Sequence, residues 1–283
     1  MQRSINKITG HSRIDGLIPG IKGQRAFPIR ENRGTDPFIM LDHIGSQEVG
    51  VDYFLDGSNH GHPHRGFETI TFMFEGTMFH KDSLGNKLTL SSGGVQRMNA
   101  GYGIQHGGDM ASDKVTGVFH EVQLWVNLPS KLKMSKPEVQ NLATNQIPVI
   151  DHGHYQLRLI SGNLEGHEGP AKTNVPTKIA HVISGNRASF SLNGFDKNEN
   201  VMVYILKGDI TASDQNIEQH NTVNYNFDGT AISFEMNAGT ELLIMAGQPI
   251  NEPVVMGGPF VMNTEEEIEQ AYQDFRDGKF GIL

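Results

Sequence analysis

The 283-residue sequence contains no cysteine, which excludes disulfides, thiolate metal ligands and cysteine nucleophiles. Basic residues are in the minority, with 23 Lys and Arg against 32 Asp and Glu and a formal net charge of −9. A general nucleic-acid binder carries a basic excess, so we expect no direct contact with nucleic acid. There is no apolar run of transmembrane length and no apolar signal-peptide core near the start. We therefore expect a cytoplasmic protein with no membrane contact.

Glycine, in contrast, is abundant. The chain has 33 glycines, where average usage of about 7% would give about 20. Apolar runs of four to nine residues recur along the chain, for example at 38–44, 69–74, 118–126 and 201–206, and turn-forming residues separate them. Short strands joined by tight turns predict an all-β architecture.

One helix is predicted, near the C-terminus. Thr264 and Glu267 form the S/T-x-x-E pattern of a capping box. Ile268, Tyr272 and Phe275 follow at helical spacing, so they form one apolar stripe that should pack on a sheet.

The chain also suggests two domains. Residues 127–148 are polar, contain three prolines and show no alternation, so we interpret them as a connection. This interpretation predicts an N-terminal barrel over 1–135, and a C-terminal barrel with the helix over 136–283. Residues 72–78 resemble residues 204–210, and Met-Asn-Ala-Gly occurs at both 98–101 and 236–239. These echoes favour a duplicated barrel.

Histidine supplies the candidate chemistry. Three of the 13 histidines, His60, His62 and His64, fall within residues 59–64. Residues i and i+2 of a strand share a face, so His62 and His64 can direct both imidazoles at one point. Imidazole is a ligand for Fe, Zn, Cu and Ni. A polar loop is the alternative interpretation of this run taken alone.

The residues that follow favour a metal site. Glu68 completes an HxHx3E pattern, and a glycine-rich turn at 101–105 leads into His106. These two parts together are the signature of a cupin barrel, in which His106 can complete a site begun by His62 and His64.

Longer strings of the sequence resemble the pirin family. They include HPHRGFET at 62–69, DSLGN at 82–86, QLWVNLP at 123–129 and GGPFVMNT at 257–264. The resemblance implies a bicupin of two antiparallel β-barrels, with one mononuclear iron-type site in the N-terminal barrel. It maps three metal ligands onto His62, His64 and His106. Iron is the expected metal, with Zn, Cu, Mn and Ni as alternatives, and no other cofactor is expected.

The fourth ligand departs from the family pattern. The resemblance implies a glutamate two residues after the third histidine, but Gly108 stands there. Asp109 could replace it through a one-residue bulge and is slightly preferred, Glu68 could swing in, or water could fill the gap. The loss of an anionic ligand predicts weak or partial metal occupancy. It also predicts that Gly108→Glu raises iron affinity if water fills the gap.

Two functions compete on this basis. The first is a quercetin-dioxygenase-type oxidoreductase of reduced activity, acting on a flavonol-like molecule. The second is a metal-dependent regulatory protein that binds a transcription factor or a metabolic enzyme without catalysis. A third hypothesis is a scaffold that has lost its metal.

Several other polar residues and one tryptophan receive structural interpretations. We expect Trp125 to be core and Arg65 to form an ion pair. Glu121 and Gln123 share a face, and we expect them to be satisfied polar groups, with a place in the pocket lining as the alternative. His152 and His154 should lie in a solvated turn. The second barrel should hold no metal, because His167, His181 and His220 have no HxH partner set.

Overall fold

The computed structural model describes residues 1–32, 34–58 and 61–283, and these residues form the all-β bicupin fold that the sequence predicts. The strands up to residue 127 are β1 (Ile5–Thr9), β2 (Ser12–Ile18), β3 (Ile21–Phe27), β4 (Phe38–Glu48), β5 (Phe54–Leu55), β6 (His62–His64), β7 (Phe67–Glu75), β8 (Thr77–Asp82), β9 (Lys87–Ser91), β10 (Gly94–Asn99), β11 (Ile104–Ala111) and β12 (Val118–Asn127).

The remaining strands are β13 (Glu138–Leu142), β14 (Val149–Asp151), β15 (Tyr155–Leu164), β16 (His167–Pro170), β17 (Thr177–Ser184), β18 (Ala188–Asn193), β19 (Asn200–Lys207), β20 (Asp209–Ala212), β21 (Gln215–Glu218), β22 (Thr222–Tyr225), β23 (Ala231–Met236), β24 (Glu241–Gly247), β25 (Val255–Gly257) and β26 (Phe260–Met262). The helices are α1 (Ser130–Lys133) and α2 (Glu265–Arg276), with a 3₁₀ turn at Thr144–Gln146. Neither helix has the length and apolarity that a membrane-spanning helix needs, within the part of the chain that is described.

The first barrel comprises residues 14–23, 38–144 and 250–283. Its larger sheet has the strand order β13-β10-β7-β12-β4-β3-β2, and its smaller sheet has the order β5-β11-β8-β9, with β6 also paired to β11. A buried apolar cluster that includes Ile44, Met73, Met78 and Phe119 fills part of the interior. Burial of these side chains gives the barrel its main hydrophobic stabilisation.

The second barrel comprises residues 1–13, 24–37 and 145–249. Its larger sheet has the strand order β1-β22-β19-β24-β17-β15-β14, with β16 paired to β15. Its smaller sheet has the order β18-β23-β20-β21. A single extended apolar cluster, which includes Phe190, Leu192, Ile232 and Phe234, occupies the interior.

The two barrels interleave along the chain, which corrects the predicted division into 1–135 and 136–283. Strand β1 pairs with β22 and so joins the second barrel, while residues 250–283 belong to the first. The reason is that strand pairing joins segments distant in sequence, and no local pattern reports such pairing.

The predicted connection at 127–148 is partly wrong. It contains α1 and the strand β13, whose backbone pairs with β10 over five residues. Lys133, at the end of α1, is buried, and its Nζ donates to the carbonyl oxygens of Gly66 and Val261 and to Asn127 Oδ1. The segment therefore extends the sheet of the first barrel.

The predicted C-terminal helix is confirmed. Thr264 and Glu267 form the capping box, with each side chain bonded to the other residue's backbone N–H. Ile268 and Ala271 are buried with Phe260, Met262 and Phe280. The helix thereby packs against the strand β26, but of the predicted stripe only Ile268 is buried, while Phe275 is partly buried and Tyr272 is exposed.

Candidate metal centre

Three histidines converge on one side of the smaller sheet of the first barrel. Strand β6 pairs with β11 so that His62 lies opposite His106. The ring centres are 4.8 Å apart for His62 and His64, 4.4 Å for His62 and His106, and 5.0 Å for His64 and His106. His60, the other histidine of the 59–64 run, lies outside the described residues. The i, i+2 spacing and the cross-strand pairing together explain this convergence.

The spacing of the rings is suited to one metal ion. A metal–nitrogen bond of about 2.1 Å places an imidazole centre about 3.2 Å from the ion, so two such rings lie about 4.5 Å apart at 90° and about 5.2 Å apart at 109°. The observed ring separations lie close to this range. One nitrogen from each histidine lies within 4.8 Å of the other two, and rotation about the soft χ2 torsion of each ring would bring them closer.

Hydrogen bonding fixes the tautomer of His64. Its Nδ1 lies 3.1 Å from the carbonyl oxygen of Pro259, which can only accept, so Nδ1 carries the proton. The lone pair therefore lies on Nε2, which is buried without a hydrogen-bond partner, as is His106 Nε2. Unpaired buried nitrogens of this kind are what a metal ion would satisfy.

Burial keeps the rings of His64 and His106 neutral. Burial, followed by the proximity of His62, lowers the pKa of His64 to about 3. Burial also lowers the pKa of His106 well below its ordinary value, and His64, His62 and His80 lower it further. Neutral imidazole is the form that binds metals, so the site is ready for a cation at pH 7.

An aromatic wall borders the histidines. Trp125 stacks on Phe67 with ring centres 4.1 Å apart, and each of these rings contacts His64 edge-on. Trp125 Nε1 donates to Gln123 Oε1 at 2.8 Å. Trp125 is buried, as predicted, but its position against His64 makes it part of the site as well as of the core.

Asp109 does not take the place of the missing carboxylate. The pairing of β11 with β8 is regular from His106 to Ala111, without the bulge that this hypothesis needs. Met110 packs into the barrel interior, so Asp109 lies on the opposite face, where its Oδ1 accepts from the Gly57 backbone N–H at 2.8 Å. Alternation along the strand is the physical reason.

Glu68 is also committed elsewhere. Its side chain is fully buried, and Arg97 Nε donates to its Oε1 at 2.8 Å. Arg97 also bonds Glu138, whose side chain is exposed, so the Glu68–Arg97 pair is the buried part of this network. Withdrawing Glu68 would leave the Arg97 charge buried without its main partner, so this residue is held away from the histidines.

Gly108 cannot simply regain a side chain. Its φ is 148°, a backbone conformation that residues other than glycine rarely adopt, and an added Cβ would collide with the carbonyl oxygen of Phe79. The expectation that Gly108→Glu raises iron affinity is therefore wrong for this backbone. The strand itself would have to move before a carboxylate at this position reached the site.

A buried histidine that the sequence analysis missed lies next to Gly108. His80 on β8 is the cross-strand partner of Gly108, and its ring centre lies 5.6 Å from that of His106. His80 Nε2 bonds Asp82 Oδ2 at 2.9 Å. Burial raises the pKa of Asp82, but hydrogen bonds from Asn86 and His80 outweigh this and lower it overall. The HxD spacing in the sequence was the available signal.

Glu121 differs from its predicted role. Its Oε2 is buried without a hydrogen-bond partner, so it is not the satisfied polar group that we expected. Burial, and then the charge of Asp42, raise its pKa to about 7. Gln123 and Trp125 lie two and four residues after Glu121 on β12, so the three side chains share one face of the strand.

Arg65 and the other histidines take structural positions. Arg65 pairs with Asp274 at 2.9 Å, as expected, and lies over the Phe280 ring. His152 bonds Glu165 in a turn next to β15, and the buried His181 lies near Glu241. Within the described ranges, the one group of three potential ligands is that of His62, His64 and His106.

Comparison with known proteins agrees with this geometry. A family model described as Pirin matches residues 20–126, and one described as Pirin C-terminal cupin domain matches residues 180–281. A pirin-like protein of Caulobacter vibrioides is 34% identical over 96% of this chain and 97% of its own length. A crystal structure of quercetin 2,3-dioxygenase from Acinetobacter baumannii has a TM-score of 0.87 at 30% identity and covers 100% of both chains. A bacterial pirin from Escherichia coli in complex with nickel(II), 20% identical, shares the fold with a TM-score of 0.63 over 87% of this chain and 98% of its own. The chain therefore belongs to the pirin family.

Proposed function

We propose that this protein is a metal-dependent oxidoreductase of the quercetin 2,3-dioxygenase type. His62, His64 and His106 hold one divalent metal ion in the first barrel. The observation that carries the proposal is the convergence of three imidazoles, two of which present buried Nε2 atoms without hydrogen-bond partners. The similarity to the Acinetobacter baumannii dioxygenase supports the reaction class.

Iron is the proposed metal, and a bound metal would polarise a flavonol hydroxyl and provide a site for O₂. Imidazole binds a metal in its neutral form, so a set of three histidines would leave the charge of the ion uncompensated. A carboxylate ligand would offset this charge and stabilise an oxidised ion. We therefore expect weak iron binding and low turnover.

The aromatic wall supports the site from behind His64. Trp125 and Phe67 place their rings against His64, and Phe67 is fully buried while Trp125 is 7% exposed. Such an apolar wall would exclude water from a substrate bound at the metal. Pro259 holds the His64 ring in position through its bond to Nδ1.

Glu121 is the proposed proton acceptor. Its pKa of about 7 allows the carboxylate to take up and release a proton near neutral pH, and it shares a β12 face with Trp125. The proton of a substrate hydroxyl would be held on Oε2, which has no competing hydrogen-bond partner.

The test is to load the metal-free protein separately with Fe²⁺, Mn²⁺, Ni²⁺ and Cu²⁺, and to measure quercetin consumption and O₂ uptake. We expect slow turnover with at least one metal, and loss of both turnover and metal binding in His62→Gln. His152→Gln is the matched control, because it removes an exposed histidine from the solvated turn. Tight metal binding without turnover by any of the four ions would contradict the enzymatic proposal and favour the regulatory alternative.

A further inference from the structure

His80 has the properties of an unused ligand. Its side chain is only 1% exposed, and its Nε2 bonds the carboxylate of Asp82 at 2.9 Å. A carboxylate can only accept, so Nε2 carries the proton and the lone pair lies on Nδ1. His80 Nδ1 is buried and has no hydrogen-bond partner. A buried acceptor left unpaired is destabilising, so this nitrogen is costly unless something binds it.

The ring of His80 lies next to one of the three histidines, although His80 is not itself in the group of three. His80 and His106 have ring centres 5.6 Å apart. Two imidazoles on one metal ion would have this separation at a ligand–metal–ligand angle of about 120°. Gly108, the cross-strand partner of His80, contributes no side chain on this face.

We propose that His80 is a fourth nitrogen ligand of the metal through Nδ1, with Asp82 as the carboxylate that orients and polarises it. This inference rests on the proposed metal site. The arrangement is a carboxylate–histidine–metal triad, in which the carboxylate of Asp82 bonds His80 and does not itself contact the ion. The site would then compensate for the missing direct carboxylate without any change in the β11 backbone.

The donor set predicts the order of affinities among added metals, which is separate from the iron proposed as the metal of the protein. Four imidazole nitrogens favour later divalent ions, so Cu²⁺ and Ni²⁺ should bind more tightly than Fe²⁺ and Mn²⁺. A direct carboxylate would reduce that preference, because oxygen donors suit Mn²⁺ better than imidazole does.

The first experiment needs no variant. X-ray absorption on wild-type protein loaded with one equivalent of Ni²⁺ counts bound imidazoles through their multiple-scattering signal. We expect four. A count of three would overturn the inference while leaving the proposed metal site intact.

The second experiment measures Ni²⁺ affinity by chelator competition. We expect His80→Gln to weaken binding by about 10- to 100-fold, and His62→Gln to weaken it more. His181→Gln is the matched control, because it removes a buried, carboxylate-bonded histidine from the second barrel. Thermal unfolding without metal identifies a His80→Gln protein that fails to fold, in which case the wild-type count decides.

The outcomes separate the two proposals. Wild-type affinity in His80→Gln, with loss of binding in His62→Gln, contradicts only the role of His80. Wild-type affinity in His62→Gln, or no Ni²⁺ binding by wild type, contradicts the metal site and the role of His80 with it.

Discussion

The two barrels share a strand scheme but differ in what fills them. In the first barrel β11 pairs with β8 and β6, and in the second β23 pairs with β20 and β18. Met110 lies opposite Met78 in the first barrel, and Met236 lies opposite Ile210 in the second. We align the two barrels at these pairs, so Met110 corresponds to Met236 and Met78 to Ile210. Counting back four residues from each methionine places His106 at the position of Ile232.

The same registers match the remaining site positions. His62 lies opposite His106, and Leu192 lies opposite Ile232. His62 therefore corresponds to Leu192. His80 corresponds to Ala212, two residues beyond the matched positions on β8 and β20. Three of the four candidate ligands, His62, His80 and His106, therefore correspond to apolar core residues in the second barrel, and His64 corresponds by the same count to Gly194.

Residue size changes along with polarity. Gly108 corresponds to Phe234, which is buried and stacks on Phe190 with ring centres 4.7 Å apart. In the first barrel a glycine accompanies the large His80, whereas in the second a phenylalanine accompanies the small Ala212. The two barrels therefore divide the volume differently between the paired positions.

The largest expected effect is on metal affinity, when ligands of the first barrel are replaced by the residues that correspond to them in the second. We expect His62→Leu with His106→Ile to lower Ni²⁺ affinity by more than about 10³-fold, because two ligands are lost. Chelator competition measures this. His152→Gln with His154→Gln should leave the affinity unchanged, and tight binding by the first double variant would place the metal elsewhere.

The packed interior of the second barrel predicts the next effect. Phe234→Ala should lower the free energy of unfolding by about 3–5 kcal/mol, because it leaves a cavity against Phe190. Urea denaturation measures the loss, and Ni²⁺ affinity should stay within twofold of wild type. A small loss would show that this interior collapses easily, contrary to the contrast drawn here.

Glu121 tests the polar interior of the first barrel. Its pKa is raised to about 7 from 4.5, so the folded state binds this proton more tightly than the unfolded state and loses stability as pH rises from about 4.5 to 7. Glu121→Gln should therefore stabilise the metal-free protein by up to about 3 kcal/mol at pH 8 and change little below pH 4.5.

Denaturant unfolding at both pH values, with metal removed by chelation, measures the Glu121 effect. Glu218→Gln, an exposed change on β21, serves as the control. An equal gain at the two pH values would show that packing, and not charge burial, is responsible.

The smallest effect should come from the helix cap of the first barrel. Thr264→Ala removes the side chain that accepts from the Glu267 backbone N–H, and should cost about 1 kcal/mol. Thr264→Ser should restore most of it in thermal unfolding. A full loss in the serine variant would mean that the methyl group, and not the hydroxyl, stabilises α2.

The sequence predicts the features that are local. HPH on one strand and a histidine after a glycine-rich turn identify His62, His64 and His106 because alternation and hairpin closure act over few residues. The similarity between residues 72–78 and 204–210 has a structural basis. Residues 72–78 run from β7 into β8, and residues 204–210 run from β19 into β20. The repeated Met-Asn-Ala-Gly has no such basis, since it lies at the end of β10 in the first barrel and at the end of β23 in the second.

What the sequence misses depends on pairing between strands. His80 enters the candidate site only because β8 lies beside β11, and Asp109 leaves it because β11 continues without a bulge. The exchange of terminal segments between the barrels has the same origin. Turn chemistry and periodicity carry no record of which strands become neighbours.

The hydrogen bond from His64 to Pro259 has a consequence for synthesis. When translation has reached residue 144, every candidate ligand has been synthesised. The Pro259 carbonyl, which sets the tautomer of His64, has not. Asp274, which pairs with Arg65, arrives later still. The first barrel to be translated is thus the last to mature, and its capacity for metal should appear only when the final segment of the chain docks.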